Sequence, residues 1–153
     1  MQTMAQKRIT KDYEDMLSHY KDIFSVQLHD PNKMNIWYVS FIGAKSTAYE
    51  NEKFKLRIKF DDTFPLEAPE VIFVDGLVPA HPHIFSNGFI CLSILYDAWA
   101  PSLKVSSICL SILSMLSSCK KKKKPEGDKD FVKSCAKGSS PKDIEWDFHD
   151  DKV

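Results

Sequence analysis

The chain has 153 residues and a mass of 17.5 kDa, with 43% apolar and 27% charged side chains, which suits one globular domain whose core needs no metal or disulfide staple. Basic and acidic residues balance at 21 each, which argues against a dedicated nucleic-acid binder. No apolar run approaches the ~18 residues of a membrane span, so neither nucleic acid nor membrane is an expected partner.

Residues 5–20 predict an amphipathic helix, with Ile9, Tyr13, Met16, Leu17 and Tyr20 on one stripe. A weaker strand signal covers Val26 to Leu28, and Asp30-Pro31-Asn32 marks a turn. Ile36 to Ile42 is rich in aromatic and β-branched residues and is closed by Gly43. Residues 53–60 alternate, with Phe54, Leu56, Ile58 and Phe60 on one face and Lys53, Lys55, Arg57 and Lys59 on the other. That is a half-buried strand with one wet face. Pro69 precedes a last apolar run, Val71 to Val74. Short connections favour an antiparallel meander over parallel crossovers.

Residues 77–102 read as a long irregular stretch anchored by Ile90, Leu92, Ile94 and Leu95, and loops of that length are usually functional. Residues 104–118 predict a buried helix through Val105, Ile108, Cys109, Ile112, Leu113 and Leu116. After Lys120 to Lys124, Asp128 is expected to cap a short helix carrying Phe131, Val132 and Cys135. Ser140-Pro141 should open a last short helix through Ile144 and Trp146. The fold class expected is α/β of the α+β type, with helices flanking a small antiparallel sheet.

Charge divides the chain further. Residues 1–119 carry 11 basic and 13 acidic side chains, residues 120–142 carry 9 and 3, and residues 143–153 carry 1 and 5. A near-neutral core over 5–119 is thus followed by a basic connector, 120–127, and by short helices and an acidic, aromatic tail over 128–153 that complete one domain. The lysine run reads either as a solvated loop or as an import signal. Residues 1–16 lack the apolar stretch of a secretory signal, and the four cysteines are irregularly spaced without a CxxC. The expectation is a reduced cytoplasmic or nuclear protein with free thiols and no metal site. Cys109 should be inert on the buried stripe and Cys119 and Cys135 non-catalytic, with Cys119, at its helix end, able to oxidise if exposed.

The segment with most chemistry runs from His81-Pro82-His83 through Asn87-Gly88 to Cys91. A thiol in a long polar loop can be a nucleophile. A free cysteine between isoleucine and leucine can equally be a small buried hydrophobe. The residues alone leave both open.

The arrangement His81-Pro82-His83, eight further residues to Cys91, and eight more to Trp99-Ala100-Pro101 resembles the active-site segment of ubiquitin-conjugating enzymes. Phe64-Pro65-Leu66-Glu67-Ala68-Pro69 resembles the family's Tyr-Pro-Phe-x-x-Pro turn, and Tyr49-Glu50-Asn51-Glu52-Lys53-Phe54 its Tyr-Glu-Gly-Gly-x-Phe hairpin. The likeness covers residues 5–119 and implies a ubiquitin-conjugating-enzyme-like fold with a four-stranded meander. His83 in place of the family asparagine, the run Cys91-Leu92-Ser93-Ile94-Leu95 and the tryptophan-bearing tail are most similar to the W-type members, which direct ubiquitin to N-terminal α-amines.

The resemblance implies that Cys91 carries ubiquitin as a thioester and that His83 stabilises the oxyanion or braces the loop. His81, Pro82, Asn87 and Trp99 would support the site. It implies ligase contacts of the RING or U-box kind at Pro65, Leu66, Pro101 and Ser102. Activating-enzyme contacts would fall at Lys7, Arg8 and Lys11, and Trp146, Asp147, Asp150 and Asp151 would receive the substrate N-terminus. No cofactor is implied, because ATP is used by the activating enzyme. Lysine-directed members usually carry an acidic residue after the second helix, where this chain has Cys119 followed by five lysines; a cationic loop would repel a protonated lysine. The alternatives are a lysine-directed enzyme for ubiquitin or another ubiquitin-like modifier and, in a different class, a non-catalytic ubiquitin-binding module.

Overall fold

A computed structural model describes residues 1–150, so Asp151 lies outside the described residues. Helix α1 (Met4–His19) opens with Thr3, whose Oγ1 accepts the Gln6 N–H at 3.1 Å while Gln6 Oε1 accepts the Thr3 N–H at 2.8 Å. Strands β1 (Ser25–Asp30), β2 (Lys33–Ile42), β3 (Lys53–Lys59) and β4 (Glu70–Phe73) pair in sequence order, all antiparallel. Helix α2 (Val105–Ser118) follows the sheet in the chain, and α3 (Asp128–Ser134) follows the lysine run. The meander and the two long helices agree with the pattern in the sequence.

The inner sheet face holds Trp37, Val39 and Phe41 of β2, Phe54, Leu56 and Ile58 of β3, and Val71 and Phe73 of β4. One continuous buried cluster joins them to Ile9 and Met16 of α1 and to Val105, Ile108, Cys109, Ile112, Met115 and Leu116 of α2. Burial on this scale is the main stabilising term for the fold. On β3, Lys53 and Lys59 face water while Phe54, Leu56 and Ile58 point inward, as the alternation requires.

Four local expectations are corrected. Leu17 is exposed, because one residue beyond Met16 is a 100° rotation off the buried stripe. Asp12 of the same helix, by contrast, is only 2% exposed. Cys119 is buried, donating its thiol proton to the Lys121 carbonyl at 3.3 Å. Gly127, at φ 71°, caps α3, and Asp128 is the first helical residue, with its carboxylate turned inward. After Ser140 and Pro141 only a 3₁₀ turn forms, Pro141–Asp143. Ile144 is already extended, so Trp146 lies in an extended tail.

Candidate active site

Within the stretch expected to be irregular, residues 81–91 fold into a small, hydrogen-bonded hairpin. The Ile84 N–H bonds to the His81 carbonyl at 3.1 Å, the Phe85 N–H to the Phe89 carbonyl at 2.9 Å, and the Cys91 N–H to the His83 carbonyl at 2.8 Å. Asn87 Oδ1 accepts the Phe89 N–H at 3.1 Å, which shapes the tip. Gly88 has φ 91°, and a Cβ there would lie 2.2 Å from the Phe73 carbonyl oxygen. Its own carbonyl accepts the Phe73 N–H at 2.9 Å, so the hairpin is docked on the end of β4. Glycine is required at this point both for backbone conformation and for close approach.

His81 is fully buried, and its Nδ1 accepts the His83 N–H at 2.9 Å. Burial, then the nearby His83 ring, push its pKa down to about 4, so it stays neutral at pH 7 and acts as a structural pin. Trp99 is buried and donates Nε1–H to the Pro65 carbonyl at 2.9 Å, fastening the segment after the cysteine to the loop after β3. Leu95 anchors a 3₁₀ turn, Ser93–Leu95, directly beyond Cys91. Pro82 lies at the cleft wall beside His83 and Cys91.

The cleft that holds Cys91 has a volume of about 670 Å³. Pro82, His83, Phe85, Lys123, Lys124 and Phe131 line it together with the tail residues Glu145, Trp146 and Asp147. Trp146 donates Nε1–H to the Pro141 carbonyl at 2.9 Å and packs on Phe85, Phe131 and Tyr96 at 5.6–6.0 Å between ring centroids. Phe148 stacks on Tyr96 at 5.7 Å. The Asp147 carbonyl accepts the Cys91 thiol proton at 3.7 Å, and the Asp150 carboxylate accepts the Ser93 N–H at 3.2 Å together with the Ser93 hydroxyl. The tail is therefore a packed strap across the cysteine.

That strap sets the electrostatics. Burial first, then the Asp150 and Asp147 carboxylates, push the Cys91 thiol up to about 11. With the tail in this position the thiol keeps its proton at neutral pH. Burial likewise lowers the pKa of His83, although Asp150 opposes the shift. A neutral imidazole carries one N–H donor, and His83 Nδ1 is buried without a hydrogen-bond partner among the described residues. Its carbonyl braces the Cys91 amide while a ring nitrogen remains unspent, so both roles weighed for His83 are compatible with the geometry.

The two expected ligase loops lie together. Leu66 is 77% exposed, and Pro101 and Ser102 are exposed. Pro65 is held by Trp99, and the Phe64–Pro65 peptide is cis. Lys7 and Lys11 are free at the surface of α1, but Arg8 is not a free surface charge. Its Nε bonds Asp12 at 2.9 Å, its two terminal nitrogens bond the Pro101 and Leu103 carbonyls, and it lies 5.5 Å over the Phe64 ring. Asp12 also accepts the Val105 N–H at 3.0 Å, where α2 begins without a side-chain cap of its own.

Several residues were missed in the sequence. Asp12 had one signal, an arginine four residues earlier on the same helix face. Asp128 grips the hairpin from α3, accepting the Ser86 N–H at 2.8 Å and the Ser86 hydroxyl. Tyr96 is the platform for the tail's aromatics. Asp128 stood out in the sequence only as a helix cap and Tyr96 not at all, because both pairings join distant segments. The cationic-loop argument also needs correcting. Glu126, Glu145 and Asp147 line the cleft with Lys123 and Lys124, so its rim carries both signs.

The sequence profile of the ubiquitin-conjugating enzyme family matches residues 8–141. The chain belongs to the ubiquitin-conjugating enzymes. It is 46% identical over 153 residues to a probable ubiquitin-conjugating enzyme E2 W of Dictyostelium discoideum, covering all of both chains. It is 44% identical over 154 residues to the ubiquitin-conjugating enzyme E2 W of Caenorhabditis elegans, again end to end. Among solved structures, the ubiquitin-conjugating enzyme E2 UbcA1 from Agrocybe aegerita superposes with a TM-score of 0.81 at 32% identity. That match covers 92% of this chain and all of the other. As a conjugating enzyme of this family, the protein works with ubiquitin, an activating enzyme and ligases.

Proposed function

We propose that this enzyme carries ubiquitin as a thioester on Cys91 and passes it to the N-terminal α-amine of flexible protein substrates. The observation that carries the reading is the tail. Similarity to the two E2 W proteins runs to the chain's end, and in this chain the tail walls the cleft of the cysteine.

The chemistry follows from the groups present. Ubiquitin's C-terminal carboxyl exchanges from the activating enzyme's thiol to Cys91, one thioester for another, while the activating enzyme spends the ATP. The strap must leave Sγ for this, since it covers the thiol and holds it protonated. An amine then attacks the carbonyl carbon, and the Cys91 thiolate leaves. A ring N–H of His83, which lines the cleft together with Cys91, is the candidate donor to the oxyanion. An α-amine has a reference pKa about 2.5 units below that of lysine, so its neutral fraction near pH 7 is roughly 300-fold larger. Such an acceptor needs less help in losing a proton. Asp147 and Asp150 can meet its ammonium during approach, and the displaced Trp146 offers an aromatic face to an extended backbone. A RING or U-box ligase would grip Leu66, Pro65, Pro101 and Ser102.

A paired acceptor chase tests this reading. The charged enzyme is mixed with free lysine or with a flexible lysine-free peptide bearing a free N-terminus. Discharge by the peptide and not by lysine is expected. Equal discharge by lysine would remove the α-amine assignment and leave the enzyme class intact.

A further inference from the structure

We propose that Phe85, Tyr96 and Phe131 form a side-chain subsite beside Cys91, and that it takes an aromatic residue at the second position of the acceptor's N-terminus. The inference rests on the α-amine reading and names the acceptors that reading favours.

The Phe85 and Phe131 rings lie 4.0 Å apart between centroids. Trp146 packs 6.0 Å from each of them and 5.6 Å from Tyr96, so the tail's own indole fills the subsite. All three rings belong to segments fastened without the tail. Phe85 donates its N–H to the Phe89 carbonyl at 2.9 Å, and the Tyr96 hydroxyl donates to the Ile90 carbonyl at 3.3 Å. Phe131 rides on α3, whose Asp128 carboxylate accepts the Ser86 N–H of the hairpin at 2.8 Å. The rings therefore keep their places when the tail departs, and a preformed subsite costs an incoming side chain little ordering of the protein.

The tail also shows how a peptide lies there. The Asp147 carbonyl is 3.7 Å from the Cys91 sulfur, and the Asp147 residue is exposed. Its neighbours Trp146 and Phe148 are half-buried and packed on the rings. Successive side chains of an extended chain point to opposite sides, which is the arrangement seen. Thioester formation takes Asp147 off the sulfur and, with it, the adjacent Trp146 off the rings. Three aromatic faces then meet water, and an incoming aromatic side chain relieves that exposure. An acceptor laid in the same way, with its first residue where Asp147 stood, turns that residue's side chain outward and its second onto the rings. Even partial burial of one large apolar side chain is worth roughly tenfold in affinity. The favoured substrates are flexible N-termini with tryptophan, phenylalanine or tyrosine as the second residue.

The full chain, charged with ubiquitin, is chased with lysine-free peptides that differ only in where a single tryptophan replaces serine. The concentration for half-maximal discharge is expected to be about tenfold lower with tryptophan at the second residue than with serine there, with no comparable gain at the first, third or sixth. Tyr96→Ser and Phe131→Ser, on separate elements, should each bring this ratio close to one. A ratio is read, so a looser tail that speeds every peptide alike does not imitate the result. Trp146→Ser should keep the preference, because the rings that make it remain. A ratio near one in the wild type, an equal gain at every position, a preference that survives both ring variants, or one lost with Trp146 would overturn the proposal. Loss of charging in the ring variants with the peptide preference intact would give the rings to ubiquitin's own C-terminal segment and overturn it too. Discharge by free lysine and by none of the peptides would instead remove the α-amine reading on which it rests.

Discussion

Cys91, the proposed nucleophile, sits in a protecting environment. Its sulfur is half buried, its proton is directed at the Asp147 carbonyl, and two tail carboxylates oppose the thiolate. The sign follows directly: a nearby negative charge favours the neutral thiol, so removing a charge lowers the pKa and raises the thiolate fraction at any pH below it. Asp150→Asn is therefore expected to speed iodoacetamide alkylation of Cys91 at pH 8 several-fold, with the pH profile displaced downward from a midpoint near 11. An unchanged profile would mean that burial by the hairpin alone holds the proton. His83 was legible as a departure from the family asparagine. Its surroundings were not, because the tail that lines the same cleft lies more than 60 residues away in sequence.

Among the elements, Arg8 and Asp12 do for the fold what a cap does for one helix. The pair joins α1 to the loop before α2, satisfies the Val105 amide, and sets Phe64 under the guanidinium. Asp12 is 2% exposed and Arg8 19%, so truncating the arginine leaves a buried carboxylate without its cation. Arg8→Ala is expected to cost about 3 kcal/mol in urea unfolding. Arg8→Lys should recover only part, since one ammonium cannot bond two carbonyls and a carboxylate at once. Full recovery by lysine would return Arg8 to the role of a simple surface charge. Elements with a clean period were readable: β3 from its strict alternation, α2 from its wide apolar face. What was not readable were polar residues inside an apolar stripe, such as Asp12, and helix starts decided by tertiary partners. Asp128 had the chemistry of a cap, but Ser86 competed for its carboxylate and Gly127 took the cap position. The tail's path also escaped, since Trp146 and Phe148 carry no period and find their partners on Phe85, Phe131 and Tyr96.

At the scale of the whole molecule, the site is tied to global stability through His81. Its pKa is pushed down to about 4 by burial and by His83, against about 6.5 in an unfolded chain. Between those values the unfolded state binds more protons, so stability is fully present above pH 6.5 and falls as pH drops toward 4. His83, also shifted down, adds to the same trend. Unfolding by urea at pH 5 is expected to show about 1–2 kcal/mol less stability than at pH 7, a window above ordinary carboxylate titration. Equal stability at the two values would mean that His81 is not desolvated in the folded state.

The most direct test of the account is the chemistry of the bond to ubiquitin. Wild-type enzyme and Cys91→Ser are each incubated with activating enzyme, ubiquitin and Mg-ATP, then treated with excess thiol or with hydroxide. The wild-type adduct is expected to be lost in thiol. The Cys91→Ser adduct should resist thiol and yield to hydroxide, because a thioester has become an oxygen ester. Cys119→Ser and Cys135→Ser should behave as wild type. An adduct that stays thiol-labile in Cys91→Ser would place the ubiquitin on another cysteine and contradict the account.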